Sequence, residues 1–299
     1  MHRSLLSSCA LRGLTAAVAA GTLLTTAGPA AASDTSAAAT VAGGSKVVCA
    51  SNKPGLAPKL SRDIANALKK RHGTSALALY DRRTGTSCTL NAGKHFDSAS
   101  VVKVTVLGAL LRRAEEAHRK LTPKEGKLAT AMITKSDNDS TSALWREVEV
   151  AGVKHFLSLA KMRQTTPGAG GSWGLTQITA ADQVTLMRLL TTENAVLSPS
   201  ARGYALGLMK RVVPEQRWGV PTGAPTTATA HVKNGWLQRA TDGWRVHSVG
   251  AFTGGGHDYG MAVLSQDNHT MGYGVSTIEG ASRVIHRDLD SAVATTDGG

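Results

Sequence analysis

Ser100 and Lys103 are the residues whose types and spacing first indicate chemistry. They stand three residues apart at the start of a predicted helix, so both side chains leave the same helix face. A serine hydroxyl attacks a carbonyl carbon efficiently once a base takes its proton, and a lysine amine is such a base when burial lowers its pKa. The Ser100 N–H at the helix N-terminus is one donor for an oxyanion hole. The pair predicts acyl transfer, although serine and lysine at this spacing form a weak motif on their own.

A second polar motif, Ser136-Asp137-Asn138, falls between two predicted helices. A loop serine at this place can relay a proton between Lys103 and a leaving amine. The Asn138 amide can hold the Lys103 ammonium group and also hydrogen-bond a substrate amide. We therefore expect Ser136 to be catalytic and Asn138 to bind substrate.

The third motif, Lys233-Asn234-Gly235, lies inside a predicted strand. A glycine in a strand permits close approach to the backbone, here by a substrate. The N–H of the next residue, Trp236, can then be the second donor of the oxyanion hole. The residues of this segment predicted to bind substrate are Lys233, Asn234, Gly235 and Trp236.

With these three motifs in this order, the chain resembles the class A β-lactamase and penicillin-binding protein superfamily. The resemblance extends from about Val47 to Leu289 and includes Phe96-Asp97-Ser98-Ala99 and Thr179-Ala180-Ala181-Asp182. It implies an α/β, class A β-lactamase-like fold, with an antiparallel sheet flanked by helices plus an inserted all-α domain. The active site is then expected in the cleft between the two parts.

The same resemblance implies a role for each motif residue. Ser100 would be the acylated residue, Lys103 the base and Ser136 the relay. Asn138 and Lys233 would bind the substrate. The chain would need no metal ion and no other cofactor for this chemistry.

Three departures from the class A pattern bear on function. Only 36 residues lead from Ser100 to Ser136, which indicates a trimmed helical domain. Asn234 stands where a Thr or Ser hydroxyl is usual, which weakens the expected grip on a β-lactam carboxylate. From Arg163 to Asp182 there is no glutamate, although a class A enzyme keeps its deacylating Glu in this segment. The acylating groups are complete and the hydrolytic group is missing.

Several functions therefore stay open. The first is a secreted β-lactamase-like serine hydrolase that acts through an acyl-Ser100 intermediate on a β-lactam, a peptide amide or an ester. The second is a D-Ala-D-Ala-type peptidase, or a penicillin-binding or sensing module that is acylated without turnover. The third is an envelope protein that keeps the fold without catalysis.

A competing nucleophile motif is Gly170-Gly171-Ser172-Trp173-Gly174, which fits the G-x-S-x-G elbow of α/β-hydrolases. That elbow requires a buried strand directly before it, whereas residues 165–169 are typical of a loop. We interpret the segment as a glycine-rich loop over the site. Trp173 is expected in the core or the cleft wall, and Trp236 beside the substrate.

The elements that must position these motifs are read from hydrophobic periodicity and capping residues. The N-terminal elements are a helix around Leu60–Leu68 and a hairpin over 75–80 and 87–90. The middle of the chain is predicted to be helical, with helices that begin at Ser100, after Thr122, after Asp139 or Ser140, after Thr179 and at about Pro199, the last ending near Met209. The C-terminal part consists of strands over 229–238, 244–253 and 259–266 and a helix over 277–289. The two strand groups should join in one antiparallel sheet. This places an α/β sheet domain at 46–95 and 225–291, a helical domain at 96–224 and a tail at 292–299.

The first 32 residues are interpreted as a signal peptide. A basic start is followed by a short apolar run and by Ala30-Ala31-Ala32, a cleavage pattern. The run is shorter than the roughly 20 residues needed to span a bilayer, so no membrane anchor is expected in the mature form. Residues 33–45 are rich in Ala, Ser, Thr and Gly and predict a flexible lead. Export favours a secreted or cell-envelope location.

The formal charge of +13 makes the surface basic, but no basic run is interleaved with aromatic residues. We expect a small-molecule or peptidoglycan-derived substrate, no nucleic-acid partner and a monomer. Cys49 and Cys88 are the two cysteines beyond the signal peptide. An even count in an oxidising compartment favours a disulfide between them, the alternative being two buried free thiols.

Overall fold

Seven strands form one antiparallel sheet in the computed structural model, which describes residues 35–241 and 243–294. The strands are β1 (Ser36–Thr40), β2 (Lys46–Ala50), β3 (Thr74–Asp81), β4 (Thr86–Leu90), β7 (Thr229–Arg239), β8 (Gly243–Gly254) and β9 (His257–Asn268). Their order is β1-β2-β4-β3-β9-β8-β7. The β3–β9 pair joins the N-terminal strands to the C-terminal ones, which confirms the predicted single sheet. Two short strands, β5 (Phe96–Asp97) and β6 (Gln177–Ile178), pair separately.

Seven α-helices complete the described part of the chain. They are α1 (Leu56–Leu68), α2 (Val102–Glu116), α3 (Pro123–Thr134), α4 (Asn138–Leu159), α5 (Ala180–Thr191), α6 (Pro199–Lys210) and α7 (Met271–Ala294). The terminal helices α1 and α7 pack on each other and on the sheet, whereas α2, α3, α4 and α6 contact one another. The helical block is inserted between β4 and β7, as the class A β-lactamase-like fold requires.

Helix α5 packs against β3, β8 and β9 of the sheet as well as against α6. The sequence boundaries place it in the helical domain, so the division at 95/96 and 224/225 stays a prediction. Helix α7 extends to Ala294, three residues into the predicted tail. The predicted signal peptide, residues 1–32, lies outside the described residues.

The expectation of a flexible lead over residues 33–45 is wrong for Ser36–Thr40. This segment is strand β1 and pairs antiparallel with β2 along its whole length. Its small side chains bury little area, but Ala37 and Ala39 pack against the core. Backbone hydrogen bonds to β2 supply the order that composition alone did not indicate.

A disulfide joins Cys49 and Cys88, which face each other across β2 and β4. This confirms the predicted bridge. It encloses a sequence separation of 39 residues. Cross-linking such a loop stabilises a folded chain by about 2–4 kcal/mol, mainly by restricting the unfolded state. The bridge ties β1 and β2 to the rest of the sheet.

Side-chain caps fix where the helices around the site begin. Thr122 forms the predicted capping box with Glu125 at the start of α3. Helix α4 is capped by Asp137, whose Oδ1 accepts a 2.7 Å hydrogen bond from the Ser140 N–H. The expected cap at Asp139 or Ser140 is therefore wrong by two or three residues. Because Asp137 is the cap, the Ser136-Asp137-Asn138 motif is held at a helix entrance.

Helix α2 is the buried centre of the helical part, with all residues from Val102 to Leu111 buried. It packs against α4 at Gly108, where an added Cβ would lie 2.4 Å from the Phe156 Cζ atom. A glycine is needed because no side chain fits between the helices. This contact sets the distance between α2, which carries Lys103, and α4, which carries Asn138.

Replacing Gly108 by alanine should therefore destabilise the protein by about 1–3 kcal/mol, through overpacking against the Phe156 ring. The matched control is Gly203→Ala in α6, where a Cβ meets nothing within 4 Å. Alanine in an open helical site should be neutral or should stabilise by about 0.5–1 kcal/mol. Urea denaturation measures both. Equal stability of the two variants would contradict the tight α2–α4 packing.

Candidate active site

The turn that carries Ser100 lies between β5 and α2. Residues Ala99–Val101 form one 3₁₀ turn that leads directly into the helix. Ala99 has a left-handed backbone with φ 46°. For a residue other than glycine this conformation costs about 1–3 kcal/mol, so the surroundings must hold it. The helix at Ser100 predicted from sequence is thus present, with a strained residue directly before the candidate nucleophile.

Buried polar contacts anchor this turn from both sides. The Ser98 N–H donates to the carbonyl of Thr176 at 2.8 Å, and Thr176 directly precedes β6. His247 on β8 bonds the Asp97 carbonyl through Nε2 at 2.8 Å. Burial lowers the pKa of His247 to about 4, so its ring is neutral near pH 7. Its Nδ1 then accepts from the Ser265 N–H, which leaves Nε2 as the donor to Asp97.

The Asp97 carboxylate adds a second anchor. Its Oδ1 accepts from the Gln177 Nε2 at 2.7 Å, and its Oδ2 lies 3.2 Å from the Arg245 Nε. Asp97 therefore joins the turn, the loop after residue 163 and the sheet. In the sequence, Asp97 stands out only as part of the family pattern, and no motif marks His247 as a site residue.

Ser100 opens into a cavity of about 340 Å³ between the sheet and the helical part. The cavity is lined by Ala99, Ser100, Asn138, Gly171, Ser172, Trp173, Gly174, Leu175, Trp236 and Leu237. Ser100 and Asn138 of the first two motifs line it, as does Trp236, which directly follows the third motif. Trp236 stands there with Trp218 beside it, their ring centroids 6.0 Å apart.

Lys103 lies beneath this cavity and is fully buried. Its Nζ donates to three oxygens: the Ser136 carbonyl at 2.6 Å, the Ser136 Oγ at 3.1 Å and the Asn138 Oδ1 at 2.8 Å. Ser136 holds a left-handed backbone, φ 57°, that turns both its carbonyl and its hydroxyl to the amine. The structure brings these three predicted residues together.

Lys233 reaches the same hydroxyl from the sheet. Its Nζ lies 2.9 Å from the Ser136 Oγ and 2.8 Å from the Asn234 carbonyl. Ser136 Oγ is thus shared by the two lysine amines. This is the geometry that a proton relay between two basic groups requires.

Burial sets the charge of both amines. It lowers the pKa of Lys103 to about 7, and the nearby Asp137 carboxylate opposes this shift without reversing it. Burial, and then repulsion from Lys103, hold the pKa of Lys233 well below its usual value. Near neutral pH a large fraction of Lys103 is therefore the free amine, which is the form that can accept a proton.

Gly235 on β7 is where the sheet meets the Ser100 turn. An added Cβ there would lie 2.8 Å from the Ser100 N and 2.9 Å from the Val101 N. The sequence predicted that this glycine admits a substrate; in the structure it admits the backbone of the Ser100 turn. The close approach brings together the two segments that carry the Ser100 and Trp236 N–H groups.

The Asn234 side chain is directed away from the cavity. It is fully buried, and its Nδ2 donates to the carbonyls of Gln216 and Trp218 at 2.8 Å each. The expectation that Asn234 binds substrate is corrected for its side chain: in a strand, successive side chains alternate between faces, and Lys233 and Gly235 occupy the face toward the turn. Asn234 instead fastens the segment that carries Trp218.

The glycine-rich loop covers the site, as its sequence suggested. Residues Gly171 to Leu175 line the cavity. Ser172 is exposed on this loop and the preceding residues form no buried strand, so the elbow interpretation is not supported. Asp182 is buried at the start of α5, where its Oδ2 accepts from the Gln164 N–H and the Thr165 hydroxyl. Its carboxylate holds the base of the loop.

Trp173 is the cavity residue to which sequence analysis gave no chemical role. Its ring centroid lies 4.9 Å from the Lys103 Nζ. Its only sequence signal is an aromatic residue within the glycine-rich loop, in the segment between Arg163 and Asp182 that lacks a glutamate.

The fold and this cleft define a protein of the class A β-lactamase type. The chain belongs to the beta-lactamase enzyme family Beta-lactamase2, whose model matches residues 59–125 and 124–289. Among curated proteins it is 24% identical over 203 residues to "Putative lipoprotein LppW" of Mycobacterium tuberculosis and of Mycobacterium bovis. The match covers 66% of this chain and 64% of the relative's length, so it spans less than two thirds of that protein.

Solved structures agree on the fold. A class A beta-lactamase from Bacteroides cellulosilyticus DSM 14838 is 17% identical, with TM-score 0.68 and coverage of 78% of this chain and 98% of that one. TLA-3 extended-spectrum beta-lactamase is 15% identical, with TM-score 0.69 and coverage of 77% and 98%. PBP-A is 20% identical, with TM-score 0.68 and coverage of 78% and 96%. In the described part of the chain, no helix has the length and apolar character to cross a membrane.

The close approach at Gly235 makes a first prediction for the site. Gly235→Ala should slow acylation of Ser100 about 100-fold, because displacing the turn by even 1 Å misplaces the nucleophile and the oxyanion donors. Stopped-flow reaction with a chromogenic cephalosporin measures the rate. Gly207→Ala, an open helical position in α6, is the control. An unchanged rate in Gly235→Ala would contradict the assigned packing.

The pKa of Lys103 makes a second prediction. With Lys103 as the predicted base, the free amine is the form expected to react. The acylation rate should then rise with pH and reach half its maximum near pH 7, below the range of an ordinary lysine. Lys103→Arg keeps a cation that does not deprotonate and should lose both the rate and the rise. A wild-type rate that is constant from about pH 5 to 9 would refute Lys103 as the base.

Proposed function

We propose that this protein is a serine hydrolase that forms an acyl-enzyme at Ser100 with a β-lactam or with a peptide amide derived from peptidoglycan, and that it releases the acyl group slowly. The arrangement of Lys103 carries the proposal. A fully buried amine with a pKa near 7 shares the Ser136 hydroxyl with Lys233, directly beneath the cavity that Ser100 lines.

Acylation follows from these groups. Ser100 Oγ bonds to the substrate carbonyl carbon while its proton moves to the free amine of Lys103. The developing oxyanion is stabilised by the N–H groups of Ser100 and Trp236. The carbon–nitrogen bond then breaks, and the leaving nitrogen takes a proton that passes from Lys103 through the Ser136 hydroxyl. Lys103 returns to the free amine, and the product is an ester on Ser100.

Hydrolysis of that ester needs a water molecule and a base beside it, a contribution worth about 10²–10⁴-fold. Between Arg163 and Asp182 the single carboxylate is Asp182, and its Oδ2 is taken by Gln164 and Thr165. Trp173 occupies the loop position that faces Lys103. These observations support a long-lived acyl-enzyme.

Two functions share this acylation step and differ in what happens to the acyl-enzyme afterwards. A D-Ala-D-Ala-type peptidase turns over a peptide but is trapped by a β-lactam. A sensing module is acylated once and signals by its occupancy. The Asn234 side chain bonds to the Gln216 and Trp218 carbonyls and does not supply the usual hydroxyl contact to a β-lactam carboxylate, which argues against an efficient β-lactamase.

An extracytoplasmic location fits the same chemistry. The signal-peptide pattern, the disulfide and the basic charge agree with a protein that meets anionic wall material outside the cytoplasm. The mycobacterial relatives carry the name lipoprotein, which belongs to a cell-envelope protein. The proposed substrates are therefore small molecules and peptidoglycan fragments.

Intact-mass spectrometry after exposure to a penicillin tests the proposal. Wild type should gain one acyl group per chain and keep it after excess penicillin is removed. Ser100→Ala should gain none, because the nucleophile is absent. Ser172→Ala is the matched control and should label like wild type, since the hydroxyl of this exposed loop serine bonds to no lysine or histidine in the described part of the chain.

Other outcomes would overturn specific parts. If labelling survives in Ser100→Ala and disappears in Ser172→Ala, the nucleophile is Ser172 and not Ser100. Rapid steady-state hydrolysis without an initial burst would show that another group does the work of the missing glutamate. Release of D-alanine from a D-alanyl-D-alanine peptide separates the peptidase reading from the sensing reading.

A further inference from the structure

Hydrogen bonds hold Trp173 both at its indole ring and at its backbone carbonyl. Its indole Nε1 donates to the Ser142 Oγ on α4 at 3.1 Å. Its carbonyl accepts from the Ser98 Oγ at 3.3 Å, next to the strained Ala99. The Trp173 ring is thus bonded to the helical part and its backbone to the Ser100 turn, in a loop where Gly170 and Gly171 adopt positive φ.

The fixed ring covers the catalytic amine. Its centroid lies 4.9 Å from the Lys103 Nζ, and Lys103 is fully buried although Ser100, one turn away, lines the cavity. Trp173 itself is half-buried and lines that cavity. The indole therefore lies against the amine on one side, and another part of the side chain lines the space that a substrate would fill. A tryptophan with a purely structural role would lie in the core, away from both.

We propose that Trp173 determines the lifetime of the acyl-enzyme by excluding water from Lys103 and from the ester on Ser100. This inference rests on the acyl-Ser100 intermediate proposed above and assigns the control of its second half-reaction to one side chain. The apolar ring stands in the loop where a hydrolytic enzyme would place a water and a base.

The step that Trp173 blocks can be written in full. A water oxygen would bond to the ester carbonyl carbon, and one water proton would pass to the free amine of Lys103. The bond from that carbon to Ser100 Oγ would then break, and Lys103 would return the proton to the serine oxygen. No further reactant is required. Access of water is therefore what separates a trapped acyl-enzyme from a hydrolase in this site.

Desolvation gives the ring a second effect. Covering an amine disfavours its charged form, so the indole helps to keep the pKa of Lys103 near 7. A face-on cation and ring attract each other and favour the charged form, which opposes the lowering of the Lys103 pKa by burial. Removing the ring should raise this pKa as well as admit water.

Trp173→Ala and Trp173→Phe, with wild type, test the inference by time-resolved intact-mass spectrometry after a penicillin pulse. The lifetime of each variant is measured above its own acylation midpoint, so that Lys103 is the free amine. There the alanine variant should lose the acyl group about 10- to 100-fold faster, because water gains access to Lys103. In the phenylalanine variant an aromatic ring still covers the amine, so the lifetime should stay within about threefold of wild type, even though the bond to Ser142 is gone. Trp173→Leu, with partial cover, should fall between them and serves if the alanine variant fails to fold.

The pH dependence of acylation supplies a readout that a structural role would not move. In Trp173→Ala the midpoint of the rise should shift from near 7 toward the ordinary lysine range, whereas in Trp173→Phe it should stay. An unchanged lifetime and midpoint in both the alanine and leucine variants would overturn the role of Trp173. Absence of any acylation in wild type would instead refute the proposed function, so the two failures are distinguishable.

Discussion

Two lysine amines buried around one serine hydroxyl are the constraint on which this site depends. Taking an ammonium group out of water is costly unless it is paired, and the partners of Lys103 and Lys233 are hydroxyl, amide and carbonyl oxygens. Such neutral partners satisfy the donors without fully compensating two charges. The structure resolves the cost by lowering both pKa values. The same burial that would destabilise a structural lysine leaves Lys103 largely as the free amine near neutral pH, the form that the proposed base requires.

The remaining architecture brings oxygens to those amines. The cap at Asp137 starts α4 so that Ser136 and Asn138 face Lys103. The Gly108 contact sets how close α4 comes to α2. On the other side, Gly235 lets β7 pack against the Ser100 turn. A cleft between a sheet and a helical part is thus assembled from a few positions where a side chain is either required or excluded.

Most of the fold could be predicted because its signals are local. Periodic apolar residues, the Thr122 capping box and alternating strands each fix an element. The spaced motifs also predict the cluster that Lys103, Ser136 and Lys233 form. Strand β1 could not be predicted, since its order comes from backbone bonds to β2 and hardly from its own small side chains. The direction of the Asn234 side chain depends on which strand face meets the Ser100 turn. The position of the Trp173 ring over the Lys103 amine depends on the path of a loop. A glycine-rich sequence does not specify that path.

The position of Trp173 also makes its fluorescence a signal of changes in the site. The excited state of an indole responds to the electric field around it, and the Lys103 amine lies 4.9 Å from this ring centroid. Loss of a proton from that amine, or arrival of an acyl group at Ser100, changes the field at the ring. Trp236 and Trp218, 6.0 Å apart, stand by the same cavity. The chain therefore carries its own optical reporter of the charge state and occupancy of this candidate active-site cleft, without any added dye.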